Sequence, residues 1–189
     1  MPAQSKEAAR RLALEVRAEV GLDPLDPLEP RLLADSYGIP VLAIGELRRL
    51  SAATADYLSA PGRAVFSAAL VSVGTGMFIV DNDAHADTRR RASLAHEMAH
   101  VLWEHRFAEV LIYADGCRAV QPDVEEEADR LGHELLVTTV ATRRAARHGW
   151  TDEAVAETYG VSVPYARMRM NRSGARLIAQ RAAKRCTRI

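Results

Sequence analysis

The order in which hydrophobic patterns follow one another limits the architecture of this chain more than any other feature. Two apolar runs, residues 64–73 and 77–80, flank Gly74-Thr75-Gly76 and read as a β-hairpin. After Asp81-Asn82-Asp83 come three long helical stretches, roughly residues 87–110, 123–148 and 151–184, the last broken near Gly160. Strands gathered ahead of helices indicate an α+β fold, because a doubly wound sheet would alternate the two. Upstream, Ala9, Leu12, Ala13 and Val16 recur at helical spacing and Gly21 closes that helix. The Pro24, Pro27 and Pro30 series follows, then a short helix over residues 31–37, Gly38, and a strand-like Ile39-Pro40-Val41-Leu42-Ala43-Ile44.

With 189 residues, 48% of them hydrophobic, the chain can build one domain with a true core, or one domain with a small appendage. No window approaches the roughly 18 apolar residues of a membrane span, and Lys6, Glu7, Arg10, Arg11, Glu15 and Arg17 stud the first twenty positions. Cys117 and Cys186 are too few and too far apart for a disulfide framework. The expectation is a cytoplasmic protein with no membrane partner.

The sharpest local signal is His96-Glu97-Met98-Ala99-His100. Histidines four apart on a helix project from one face, so both imidazoles can reach a single tetrahedral Zn²⁺, and a glutamate after the first can hydrogen-bond a water there. Chance alone produces such a pattern in a chain of this length on the order of 1% of the time. A helical wheel puts Leu94, Met98, Val101, Leu102 and His105 on one side and His96, His100 and Trp103 nearly opposite. The helix can therefore bury an apolar stripe while turning both histidines toward another neighbour.

Such a site needs a third protein ligand, and the run Asp123-Val124-Glu125-Glu126-Glu127-Ala128-Asp129 begins 23 residues beyond His100. Asp123 reads as an N-cap with Glu126 as its capping-box partner. Glu125 shares a helix face with Ala128, Asp129 and Gly132, whose small members allow close approach to the histidine helix, so Glu125 is the candidate ligand. Asp129, one turn on, is placed to accept from the free ring nitrogen of a liganding histidine. Glu126 and Glu127 read as acids that stabilise a helix N-terminus. His105 reads as a core or helix-end histidine. Tyr113 and His133 are candidates for the electrophilic helper of a hydrolytic site.

Arg91-Ala92-Ser93-Leu94-Ala95-His96-Glu97-Met98-Ala99-His100, taken with Glu125-x-Glu127-Ala128-Asp129-x-Leu131-Gly132-x-x-Leu135-Leu136, resembles the ImmA/IrrE family of cytoplasmic zinc peptidases. The likeness extends through Tyr37-Gly38-Ile39-Pro40-Val41, Ile79-Val80-Asp81-Asn82 and Gly160-Val161-Ser162, and departs from the family where Leu131-Gly132 and Val137-Thr138 stand for Phe-Ala and Met-Pro. The resemblance implies a zincin-like domain with a small antiparallel sheet whose edge strand binds an extended substrate. It implies Zn²⁺ on His96, His100 and Glu125, Glu97 as general base, and a helix-turn-helix repressor as substrate, cleaved to relieve repression of a mobile element or stress regulon.

Charge supplies a competing reading. The formal net charge is zero, but residues 1–140 hold 14 bases and 22 acids, whereas residues 141–189 hold 11 bases and 3 acids. The imbalance suggests a peptidase domain over residues 1–140 and a basic, helix-turn-helix-like segment over residues 141–189, with Arg167, Arg169 and Arg172 along a recognition helix. The alternative function is thus a DNA-binding regulator with a degenerate peptidase body; a non-hydrolytic toxin or interaction module is a third.

Overall fold

A computed structural model describes residues 5–50, 52, 56, 67–73, 76–105 and 122–186. Helix α1 (Lys6–Glu19), α2 (Pro30–Ser36), strand β1 (Val41–Ala43) and α3 (Ile44–Leu50) precede strands β2 (Ala68–Val73) and β3 (Gly76–Asp81). Helices α4 (Asp87–Leu102), α5 (Pro122–Leu136), α6 (Thr139–Arg147), α7 (Asp152–Tyr159), α8 (Val163–Arg172) and α9 (Ala175–Cys186) complete the described part. The fold is mixed α+β, mostly helical, with one three-stranded sheet in the order β1-β3-β2. No described helix is long and apolar enough to cross a membrane.

The expected hairpin pairs antiparallel from Ala68 opposite Asp81 to Val73 opposite Gly76. Gly76 therefore opens β3 instead of lying in a turn, and residues 64–66 and 74–75 of that expectation lie outside the described residues. The sheet is not wholly antiparallel as expected, because β1 lies parallel to β3, with Val41 opposite Ile79 and Ala43 opposite Asp81. A parallel pair requires a crossover, and here the chain passes through α3 and β2 between the two strands. With β3 in the centre, no other strand pairs with the outer edge of β2 among the described residues.

Two of the long helices anticipated from periodicity are divided by polar side chains that cap the backbone. The helix expected over residues 123–148 stops at Leu136, where the Thr138 hydroxyl accepts from Ala141 N at 2.9 Å and buried Glu134 accepts from Thr139 N at 2.7 Å. These side chains satisfy amides that a continuous helix would have paired internally. Gly160 ends α7 in the left-handed region (φ 62°) and Ser162 caps α8 by accepting from Tyr165 N.

One core, with Leu33, Ile79, Met98, Leu131 and Leu135 fully buried, joins the sheet to α1, α2, α4 and α5. A second joins Ala95 and Leu136 to Val155, Ala166 and Met170, so the far side of α4 is covered by the C-terminal helices. The helix is thus buried on more than the one stripe its wheel suggests. Gly132 makes this possible: a Cβ there would stand 3.2 Å from Ala95 O, His96 N and His96 Cα, so α5 rests directly on the backbone of α4.

Arg17 ties α1 to the end of α5. Its buried guanidinium donates to Leu135 O at 2.6 Å and to the carbonyls of Asp23 and Asp26, and burial lowers its pKa even beside the acids Asp26 and Asp23. Replacing Arg17 with Met leaves three carbonyls without this donor and is expected to cost about 3 kcal/mol, read as a lower urea midpoint. An unchanged midpoint would contradict the role assigned to Arg17.

Candidate metal centre

The N-terminal half of α4 is fixed by two arginines. Asp81, fully buried at the end of β3, accepts from Arg90 Nη2 at 2.7 Å, Arg90 Nε at 3.0 Å and Arg31 Nη2 at 3.4 Å. The hydrogen bonds to Asp81 raise the Arg90 pKa despite partial burial. Arg91 pairs with Glu29 and donates to Leu28 O at 2.7 Å and Tyr159 O at 3.5 Å. A Cβ on Gly160 would lie 3.0 Å from Arg91 Nε, so that position lacks room for a side chain as well as requiring a left-handed φ.

One turn further, α4 presents His96 and His100 to Glu125 of α5. One ligand-type atom from each of the three lies within 4.8 Å of the others. His96 Nε2 stands 3.1 Å from Glu125 Oε2 and 3.1 Å from His100 Nε2, and His100 Nε2 is 3.7 Å from Glu125 Oε1. Asp129 faces the other ring nitrogen of His96, with Nδ1 to Oδ1 at 3.0 Å. A proton held on Nδ1 by that carboxylate leaves the Nε2 lone pair pointing at the shared centre. Burial opposes the His96 imidazolium, but the Asp129 hydrogen bond and the charges of Glu97, Asp129 and Glu125 outweigh it and raise the pKa. The same hydrogen bond lowers the Asp129 pKa.

His100 has a comparable support that the sequence reading missed. Its Nδ1 lies 2.9 Å from His105 Nδ1, and His105 Nε2 lies 3.2 Å from Glu127 Oε2. Glu104 adopts a left-handed φ of 51°, which turns the chain so that the His105 ring folds back onto α4. Glu127 is therefore a largely buried partner and not the solvated helix-end acid expected; Glu126 is exposed and pairs with Arg130 at 2.5 Å. Asp123 lies inside the first turn of α5, which begins at Pro122, so it does not occupy the expected N-cap position. Two imidazole nitrogens and a carboxylate, each imidazole backed by a polar group on its other nitrogen, form a donor set that can hold one divalent cation.

Glu97 is buried beside this group and accepts from Leu70 N at 3.0 Å. That amide points away from β3, so the outer edge of β2 borders the histidines. A cleft of about 420 Å³ opens here, with His96, Glu97, Asp129, His133 and Tyr165 among its walls. The rings of His133 and Tyr165 meet edge to face at 5.4 Å. Burial, reinforced by the Arg169 charge, pulls the His133 pKa down to about 4, and burial raises that of Tyr165. Tyr113 lies outside the described residues.

The three arginines expected along a DNA-facing row do not share a surface. Arg169 is 4% exposed, its guanidinium donating to Val137 O at 2.6 Å and Glu134 Oε1 at 2.9 Å, so it is unable to reach a phosphate backbone. Arg167 is exposed and paired with Asp152 at 3.0 Å. Arg172 is exposed at the rim of a second cleft of about 400 Å³, which shares Asp129 and His133 with the first.

Comparison with known proteins agrees with the motif resemblance. A peptidase family described as the IrrE N-terminal-like domain matches residues 50–171, about two thirds of the chain, and the chain belongs to that family. No curated protein and no solved structure matches it.

Two substitutions probe this geometry. An ordinary helix-interior Gly→Ala gains about 1 kcal/mol, but Gly132→Ala is expected to lose roughly 1–3 kcal/mol by forcing α5 off α4. It should also weaken divalent-cation binding at least tenfold in calorimetry, since the displacement moves Glu125 from the histidines; wild-type affinity would contradict the packing argument. His133 has a native pKa near 4, below the unfolded value of about 6.5, so the unfolded chain binds its proton first. Its contribution is complete above about pH 6.5 and is lost as pH falls toward 4, amounting to about 3 kcal/mol. His133→Gln should flatten that part of the stability profile in urea titrations between about pH 7 and pH 4.

Proposed function

We propose that this member of the IrrE N-terminal-like peptidase family is a zinc-dependent endopeptidase that hydrolyses a peptide bond in the cleft between α4, α5 and β2. The convergence of His96, His100 and Glu125 on one point, with buried Glu97 beside them, carries the reading. His96 and His100 supply Nε2 and Glu125 a carboxylate oxygen as ligands, and Asp129 and the His105–Glu127 pair orient the two rings. When bound, Zn²⁺ supplies Lewis-acid polarisation and makes water acidic enough to serve as nucleophile near neutral pH.

The other tasks fall to this chain's own groups. Glu97 Oε2 accepts from Leu70 N, which places a carboxylate at the junction between the strand edge and the cleft. From there it takes a proton from the attacking water and passes it to the leaving amine. Beyond Leu70 N, which Glu97 holds, the outer edge of β2 offers backbone groups with which an extended substrate pairs, and the cleft walls exclude solvent from the bond being cut.

The substrate proposed is a helix-turn-helix repressor, cleaved in the cytoplasm to relieve repression of a mobile element or stress regulon. This finer assignment rests on the family resemblance. The DNA-binding alternative gains nothing from Arg169, which is buried, or from Arg167, which is paired.

Metal analysis combined with co-expression beside a neighbouring helix-turn-helix gene tests the reading. Wild type should carry close to one zinc per chain and cleave the repressor. Glu97→Gln should keep fold and zinc yet lose at least a thousandfold in cleavage, and Glu125→Ala should lose zinc itself. Cleavage retained by zinc-loaded Glu97→Gln would overturn the mechanism.

A further inference from the structure

Peptide hydrolysis drives the substrate carbonyl toward an oxyanion, and sites that perform it aim a hydrogen-bond donor at the place where that charge develops. The histidines, Glu125 and Glu97 contribute lone pairs or an acceptor carboxylate. A donor must come from another part of the wall, and the C-terminal helices bring one there.

Tyr165 sits in the first turn of α8 and lines the same cleft as His96 and Glu97. Three contacts determine its place. Ser162 caps the helix by accepting from Tyr165 N at 3.3 Å, Ala166 beside it is fully buried in the second core, and Arg169 one turn later is anchored on Val137 O and Glu134 at the end of α5. The ring rests edge-on against His133, which projects from α5 two turns beyond Glu125. Among the described residues neither the Tyr165 hydroxyl nor a His133 ring nitrogen makes a hydrogen bond. Tyr165 is only partly buried, so its hydroxyl is free to donate to a ligand that enters the cleft. Burial raises the Tyr165 pKa, so the hydroxyl keeps its proton at neutral pH. Ser93 also lines the cleft, but its hydroxyl is on a one-carbon arm beside the α4 backbone and reaches less far into the cleft than a phenol does.

Resting on the peptidase reading, we propose that Tyr165 is a catalytic residue, its hydroxyl donating a hydrogen bond to the substrate carbonyl oxygen as that oxygen becomes negative. The basic C-terminal segment then completes the active-site wall, and its helix-turn-helix-like form serves to deliver this side chain.

Acetohydroxamate, a small anion whose oxygens occupy a zinc centre in place of the carbonyl oxygen and water, probes the donor without knowledge of the substrate. Full-length wild type, Tyr165→Phe and Ser93→Ala are loaded with zinc, checked for metal content and thermal midpoint, and titrated with acetohydroxamate by calorimetry. Tyr165→Phe keeps the ring against His133, so a purely packing role would leave all three measurements unchanged. The expected result is zinc content and midpoint equal to wild type, with acetohydroxamate affinity about tenfold weaker in Tyr165→Phe and unaltered in Ser93→Ala. Wild-type affinity in zinc-loaded Tyr165→Phe, or a loss confined to Ser93→Ala, overturns the assignment. A wild-type chain that takes up no zinc overturns the peptidase reading itself, and this assignment with it.

Discussion

Everything at the centre depends on how closely two helices approach. Helix α5 lies against the backbone of α4 at Gly132, where even a methyl group would press on Ala95 and His96. That contact sets the distance from Glu125 to the two histidines and from Asp129 to the outer nitrogen of His96. It also explains why small residues recur along the seam: Ala95, Ala99 and Ala128 are fully buried and contribute volume without keeping the helices apart. A carboxylate has a short reach, so the position of its helix must be set by packing before any ligand field can act.

The parts of the site governed by helical periodicity were legible in the sequence. Four-residue spacing put His96 and His100 on one face, and the wheel of α5 separated Glu125 and Asp129 from Glu126. Where the reading fell short, a non-periodic backbone conformation decided the outcome. The His105–Glu127 pair forms only because Glu104 turns left-handed after α4, and no spacing rule announces such a residue. Thr138 breaks a helix that periodicity would continue, because its hydroxyl and the Glu134 carboxylate offer the backbone other partners. The parallel pairing of β1 was equally hidden, since a three-residue strand gives no sign of the direction of its neighbour.

Charge composition proved a poor guide to where the basic residues point. Several C-terminal arginines face inward or toward acids: Arg169 holds the end of α5, and Arg167 and Arg176 both meet Asp152. A segment carrying eight net positive charges therefore presents less free charge than its sequence suggests. Its apolar face shares a core with Ala95, immediately before the first histidine, which makes the C-terminal helices neighbours of the candidate site.

The union of Arg91 and Gly160 shows how far this coupling extends along the chain. The guanidinium fills the space that a side chain at 160 would need, and it serves carbonyls on two separate segments, at Leu28 and Tyr159. Gly160 is therefore required twice, by its left-handed φ and by the guanidinium packed where a Cβ would stand. A change in the loop at 160 would thus be felt at the start of α4, one turn ahead of the two histidines, without touching either of them.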